Sequence, residues 1–202
     1  MSIQVGVFNW DFFASNADFY PADLPAAWKL LYYANEFNSA CINLSFAQQD
    51  YDQFNELLED LPVTFELSLA LSGPAQLDEW LRLMQPGLEK CRFLVLPATQ
   101  PLQELMQDLN KNKLARIGIT DANQLVTQTA LWTPEQPAAS SNIAVLPMQK
   151  EIKLYREWIE QWIHSQNTEC RAQSSSTLWL EGAKADYSTL SRLRSLVELM
   201  GY

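Results

Sequence analysis

Histidine is almost missing from this chain: one residue, His164, in 202. A catalytic triad or a histidine-rich metal centre therefore finds too little to build on. His164 also falls near the C-terminal end of a helical pattern, where the dipole favours a cation facing water. Glycine is scarce as well, with 6 residues, and none forms G-x-G-x-x-G or a P-loop, so no backbone cradle for phosphate is visible. The three cysteines, Cys41, Cys91 and Cys170, are widely spaced and form no C-x-x-C pair. Neither a disulfide framework nor a zinc site is indicated, and Cys41 and Cys91, in or beside apolar runs, read as core residues. No apolar run approaches the ~20 residues of a membrane span, and no basic leader precedes an apolar stretch. A cytoplasmic protein is expected.

Positive charge is the other shortage. Lys and Arg total 14 against 24 Asp and Glu, a net charge of -10. Phosphate backbones and anionic membranes attract clustered cations, so neither nucleic acid nor a membrane is an expected partner. The acids are scattered, which suits ordinary solubility.

What is present is alternation. Ile3 to Phe8 is a short apolar run, Leu24 to Phe37 an amphipathic segment, and Ala40 to Phe46 a second apolar run. Short apolar runs suit strands buried on both faces, and strand–helix–strand is the βαβ unit. The unit then repeats. Helices are expected at Asp50–Asp60, Ala75–Met84, Gln100–Asn112, Lys150–Ser165 and Asp186–Met200. Strands are expected at Val63–Leu71, Cys91–Pro97, Ala115–Thr120, Ala130–Thr133, Ile143–Leu146 and Thr177–Leu180. Asp121 suits the N-cap of a short helix reaching Gln128. Glu135 to Asn142 is a polar loop. Eight strands alternating with helices predict an α/β fold with a parallel sheet. A (β/α)8 barrel in one domain over 1–202 is expected, shortened against the ~250 residues usual for it and irregular around 121–142. Trp28, Leu31, Phe54, Leu57, Leu81, Trp158, Trp162 and Leu196 are expected to bury the inner helix faces.

In such a barrel, chemistry sits at the C-terminal strand ends. The polar residues there are Asn9, Asp11, Asn43, Ser45, Thr120, Asp121, Glu181 and Lys184. Two carboxylates facing each other across the mouth can act as acid and base or hold a hard cation. The plainer reading stands beside it: Asp121 as a cap, Asn43 bonding loop backbone, Glu181 and Lys184 as a solvated pair. Trp10, Phe12, Phe13, Phe19 and Tyr20 crowd the first loop. They either line a pocket for a planar or sugar-like ligand or plug one end of the barrel.

These residues also carry a resemblance. Gly6, Trp10, Phe19-Tyr20-Pro21, Tyr33-Ala34, Phe37, Ile42-Asn43 and Phe46 fall in the order and spacing of the YecE-like family, barrel proteins of unknown function. That family opens with G-T-S-G-W-x-Y, then F-Y-P, Y-A-x-x-F and V-E-I-N-x-T-F-Y. Pro62 and Phe65 match its P-x-x-F, Tyr155 to Trp158 resembles its late helix, and Thr177 to Leu199 its final strand and helix. The departures fall on the polar strand ends. Cys41 stands for the family's Glu, Ala47 for its Tyr, and Val7-Phe8-Asn9 for T-S-G. No Lys matches within Ser68 to Ser72, and Val145-Leu146-Pro147-Met148 replaces R-x-H-G. The resemblance implies a shortened YecE-like barrel whose polar site is largely erased. The expected function is non-catalytic: binding of a small molecule or protein partner through the C-terminal mouth, with no cofactor and no metal. The alternative is a cofactor-independent hydrolase or lyase using Asp11, Asp121 or Glu181. Trp10 counts among the expected ligand-binding residues, with Asn9, Asp11, Asn43, Ser45, Asp121, Glu181 and Lys184.

Overall fold

The computed structural model describes residues 2–43, 51–70, 91–96, 118–121, 131–135, 137, 141–166, 175–181 and 185–202. The strands are β1 (Ser2–Phe8), β2 (Ser39–Asn43), β3 (Glu66–Ala70), β4 (Cys91–Leu96), β5 (Gly118–Asp121), β6 (Ile143–Leu146) and β7 (Ser175–Glu181). The helices are α1 (Trp10–Phe13), α2 (Lys29–Ala34), α3 (Tyr51–Asp60), α4 (Ile152–Ser165) and α5 (Tyr187–Leu199), and a 3-10 turn at Ala26–Trp28 leads into α2. The expected helices at 75–84 and 100–112, and the one after Asp121, lie outside the described residues.

All seven strands join one parallel sheet in the order β5-β4-β3-β2-β1-β7-β6. The α/β reading therefore holds. Outward from β1, the strands follow chain order on one side and count back from the C-terminus on the other. The expected strand at Ala130–Thr133 shrinks to a bridge in which Trp132 pairs with Ala144. Trp132 N–H donates to Ile143 O and its own carbonyl accepts from Val145 N–H, both at 2.9 Å.

Period-2 alternation sends neighbouring residues to opposite faces. Ile3, Val5, Val7, Ala40, Ile42, Leu67, Leu69, Ala144, Leu146, Leu178 and Leu180 join the larger core against the helices. Cys41, Ile143 and Trp179 join Leu131 in a second, smaller core on the other face, with Phe8, Ala70 and Val145 beside it. That second face is concave. Strands β3 and β7 are three positions apart, about 14 Å on a flat sheet at ~4.8 Å per strand. Yet Thr177 Oγ1 donates to Glu66 Oε2 at 3.0 Å, passing over β1 and β2. Trp179 Nε1 likewise reaches over β1 to Ser39 Oγ at 2.9 Å. Only a tightly curled sheet brings these pairs together.

The helices dock as their stripes dictate, with one correction. On α4, Tyr155, Ile159 and Trp162 are buried, while Trp158 is half-buried at the edge of the stripe. Trp162 is thus the anchor: it is fully buried and its Nε1 donates to Ser141 O at 2.7 Å. Leu31, Leu57 and Leu196 pack partly against the core. Trp28, expected inside, is 62% exposed. The chain enters α2 through a 3-10 turn, which advances more degrees per residue than an α-helix. The phase shifts, and Leu30, Tyr33 and Phe37 face the core instead. Phe54 and Leu81 lie outside the residues whose side chains are described. Asp186 caps α5, its Oδ1 accepting from Thr189 N–H at 2.7 Å.

Candidate functional site

The turn that leaves β1 organises the C-terminal strand ends. Asn9 takes a left-handed conformation (φ 59°, ψ 60°), the one non-glycine residue with positive φ among those described. Asparagine tolerates this region better than most residues, and such backbone clusters where a side chain must be aimed. The turn swings α1 over the end of β2. Asp11 Oδ2 then accepts from Asn43 N–H at 2.8 Å. Asp11 Oδ1 is buried and has no hydrogen-bond partner among the described residues. Burial pushes the Asp11 carboxyl above its ordinary range, and the Asn43 N–H opposes that only in part.

Beneath this pair sits Cys41, wholly buried and a free thiol. Burial raises its pKa far above the ordinary value and the neighbouring Asp11 charge adds to the shift, against a hydrogen bond from the Asn9 backbone. A thiol held protonated in this way is a poor nucleophile. Sequence reasoning assigned Cys41 to the core and, by resemblance, to a strand-end position where the family has Glu, but did not count it among the binding residues. The signal was available: Cys41 and Asn43 are two apart on one strand and so share a face. Ser68, opposite Cys41 in the β2–β3 register, was missed too. It is fully buried, and its Oγ has no hydrogen-bond partner.

The structure thus brings Asn9, Asp11 and Asn43 together and adds Cys41 and Ser68. Glu181 ends β7 opposite Phe8, half-buried, on the far side of β1 from Asn43. Asp121 closes β5, paired with Leu96, and the helix it was expected to cap lies outside the described residues. Thr120 is paired with Val95 in the same strand. Ser45 and Lys184 lie outside the described residues.

Trp10 corrects an expectation. It is buried against Tyr33 on the helix side of the sheet, where Phe13, Phe19, Tyr20 and Phe37 complete an aromatic cluster. Trp10, Phe13, Phe19 and Tyr20 of the first loop join the larger core on the helix side of the sheet. Phe12 alone of the group points out, 60% exposed. On the concave side Phe8 and Trp179 stand with ring centroids 5.8 Å apart.

A separate groove of about 590 Å3 runs between α4 and α5, lined by Arg156, Glu160, His164, Leu196, Met200 and Tyr202 among others. His164 is exposed there, its Nδ1 2.6 Å from Glu160 O. Among the described residues no cluster of three or more His, Cys, Asp or Glu is placed to hold a metal, and no helix is long and apolar enough to cross a membrane. Compared with known proteins, the chain matches no family model and no curated protein.

Proposed function

We propose that this chain is a shortened, single-domain YecE-like barrel that binds a small molecule or protein partner at its C-terminal strand ends without catalysing a reaction. Closure into a barrel is supported by the strand order. From β1 the strands run β2, β3, β4, β5 one way and β7, β6, Trp132 the other, all parallel, so the free ends would meet between Asp121 and Leu131. The two cross-face hydrogen bonds supply the curvature that closure requires.

One observation carries the binding reading. Where catalysis needs poised charge, the chain holds a carboxylate tied by Asn43 N–H at 2.8 Å above a thiol kept neutral by burial. The adjoining concave face is apolar, with half-buried Phe8, Ala70 and Val145 packed on buried Leu131 and Trp179. Such a surface with a few placed polar groups suits holding a ligand. The hydrolase or lyase reading draws on one fact, the raised pKa of Asp11, which suits a general acid. The net charge of -10 keeps nucleic acid and anionic membrane outside the proposal, and a cytoplasmic setting goes with it.

The test is a thermal-shift panel of phosphorylated compounds, glycosides and metal ions, run beside turnover assays on the same compounds. Ligand-dependent stabilisation without turnover is expected. Turnover that disappears in Asp11→Ala, Asp121→Ala or Glu181→Ala would replace the binding reading with the enzymatic one.

A further inference from the structure

We infer that the strand-end site takes a small ligand through a primary ammonium head seated against the Asp11 carboxylate. This rests on the reading of the strand ends as a binding site and adds the class of ligand.

Two orphaned oxygens point to it. Asn43 N–H fixes Asp11 Oδ2, which fixes Oδ1 as well, and Oδ1 is buried without a hydrogen-bond partner among the described residues. A buried carboxylate oxygen without a donor forfeits its hydration for no return, so a folded chain rarely keeps one. Independently, Ser68 is fully buried, lies opposite Cys41 on the same sheet face, and its hydroxyl also has no partner among the described residues. Buried side-chain polar atoms are nearly always bonded to protein, water or ligand. Cys41, opposite Ser68 and two residues before Asn43 on β2, places the Ser68 hydroxyl on the same strand pair as the Asp11 partner.

No cation among the described framing elements meets these oxygens. β1, β2, β3 and β7 contain no Lys or Arg, and neither does α1. An ammonium carries three donors and a positive charge on one atom, so it can meet both a carboxylate oxygen and a hydroxyl. A sugar hydroxyl brings one donor and no charge. Phe8, half-buried and opposite Cys41 in the β1–β2 register, gives such a ligand a ring face for its carbon stem. The chain's net charge of -10 raises the local concentration of cations.

The test titrates the full chain with ethylammonium chloride and 1,4-diaminobutane, read by calorimetry and melting temperature. Tetramethylammonium chloride at equal ionic strength supplies charge without donors, and sorbitol supplies hydroxyls without charge. Saturable binding of both primary amines, and of neither control, is expected. Asp11→Asn, which keeps an oxygen for Asn43 N–H, should weaken it about tenfold or more, and Ser68→Ala about threefold. Amine binding unchanged in Asp11→Asn, or matched by tetramethylammonium, would overturn the inference. No response to any amine from a cooperatively melting protein would do the same. Sorbitol binding that Ser68→Ala removes would reject the ammonium head while keeping the strand ends as a binding site. Failure of the wider ligand panel as well would reject that site.

Discussion

Strand β1 meets its two neighbours in different ways. Against β7 it pairs along its whole length, Ser2 opposite Ser175 through Phe8 opposite Glu181. Against β2 the register covers Gly6 to Phe8 alone. Along this second seam, side chains take up backbone groups that a ladder would otherwise pair. Asn38 Oδ1 accepts from Val5 N–H at 3.0 Å. The Tyr33 hydroxyl accepts from Val7 N–H at 3.1 Å and donates to Ser39 O at 3.0 Å. At the top, Asp11 takes Asn43 N–H at 2.8 Å. One seam is therefore closed by backbone and the other is laced by three side chains, from the N-terminal end to the strand-end site. Backbone donors in a buried sheet must be paired, so each lace is obligatory where it stands. The candidate site is the uppermost lace, and it is the one left with an unused oxygen.

The sharpest way to break this contrast is at Gly6. A Cβ there would overlap the carbonyl of Ser39, which is backbone and cannot swing away. Gly6→Ala should force the β1–β2 seam apart at a cost of about 3 kcal/mol, the upper end for over-packing. A chemical-denaturation loss below about 1 kcal/mol would show that the seam has room to spare.

Tyr33→Phe comes next. It removes the hydroxyl between Val7 N–H and Ser39 O and leaves both buried groups unpaired, for about 1–3 kcal/mol. Hydrogen exchange sharpens the point, because the Val7 amide should lose protection more than amides along β7. Uniform loss across both seams would mean that the tyrosine supports the whole sheet rather than this seam. Asn38→Ala should follow the same pattern at Val5, at about 1–2 kcal/mol, since that group lies nearer the edge.

The smallest effect carries the opposite sign. Burial holds the folded-state pKa of Asp11 above its ordinary value of 3.8, so the folded chain binds that proton more tightly than the unfolded one. The contribution of this group to stability is greatest at low pH and is lost as pH rises through the folded pKa. Asp11→Asn keeps an acceptor for Asn43 N–H and removes the charge. It should melt slightly above the parent at pH 7, and the gap should close as pH falls toward 3.8. A variant that melts lower than the parent at pH 7 would show that the charged hydrogen bond outweighs burial. Higher stability with weaker ligand binding is the trade expected of a residue kept for function.

The elements that follow from local pattern were legible in the residues. Ile143–Leu146 forms β6 with the expected bounds, and the long C-terminal helices differ from expectation only at their ends. A run of buried strand or a helical stripe is written in spacing, because each residue's burial depends on its own neighbours along the chain. The misses share a physical cause. Trp28 fell outside the core because a 3-10 turn reset the helical phase. Of Ala130–Thr133, the described residues form isolated bridges rather than a strand, with Trp132 opposite Ala144, since pairing depends on where β6 lies and not on the run itself. The first-loop aromatics looked alike in sequence, but α1 sent Trp10 and Phe13 behind the sheet and left Phe12 outside.

By itself, then, the sequence determined the α/β alternation, the parallel sheet and the residues at the strand ends. Asn9, Asp11 and Asn43 could be named there, because strand limits mark where a chain turns. Tertiary structure alone decided that Asp11 spends one oxygen on Asn43 N–H, that Cys41 and Ser68 stand beside it, and that Trp10 does not. Those outcomes depend on the curl of the sheet and on how far β1 and β2 stand apart. Both are set by packing between residues distant in sequence, such as Glu66 with Thr177 and Ser39 with Trp179.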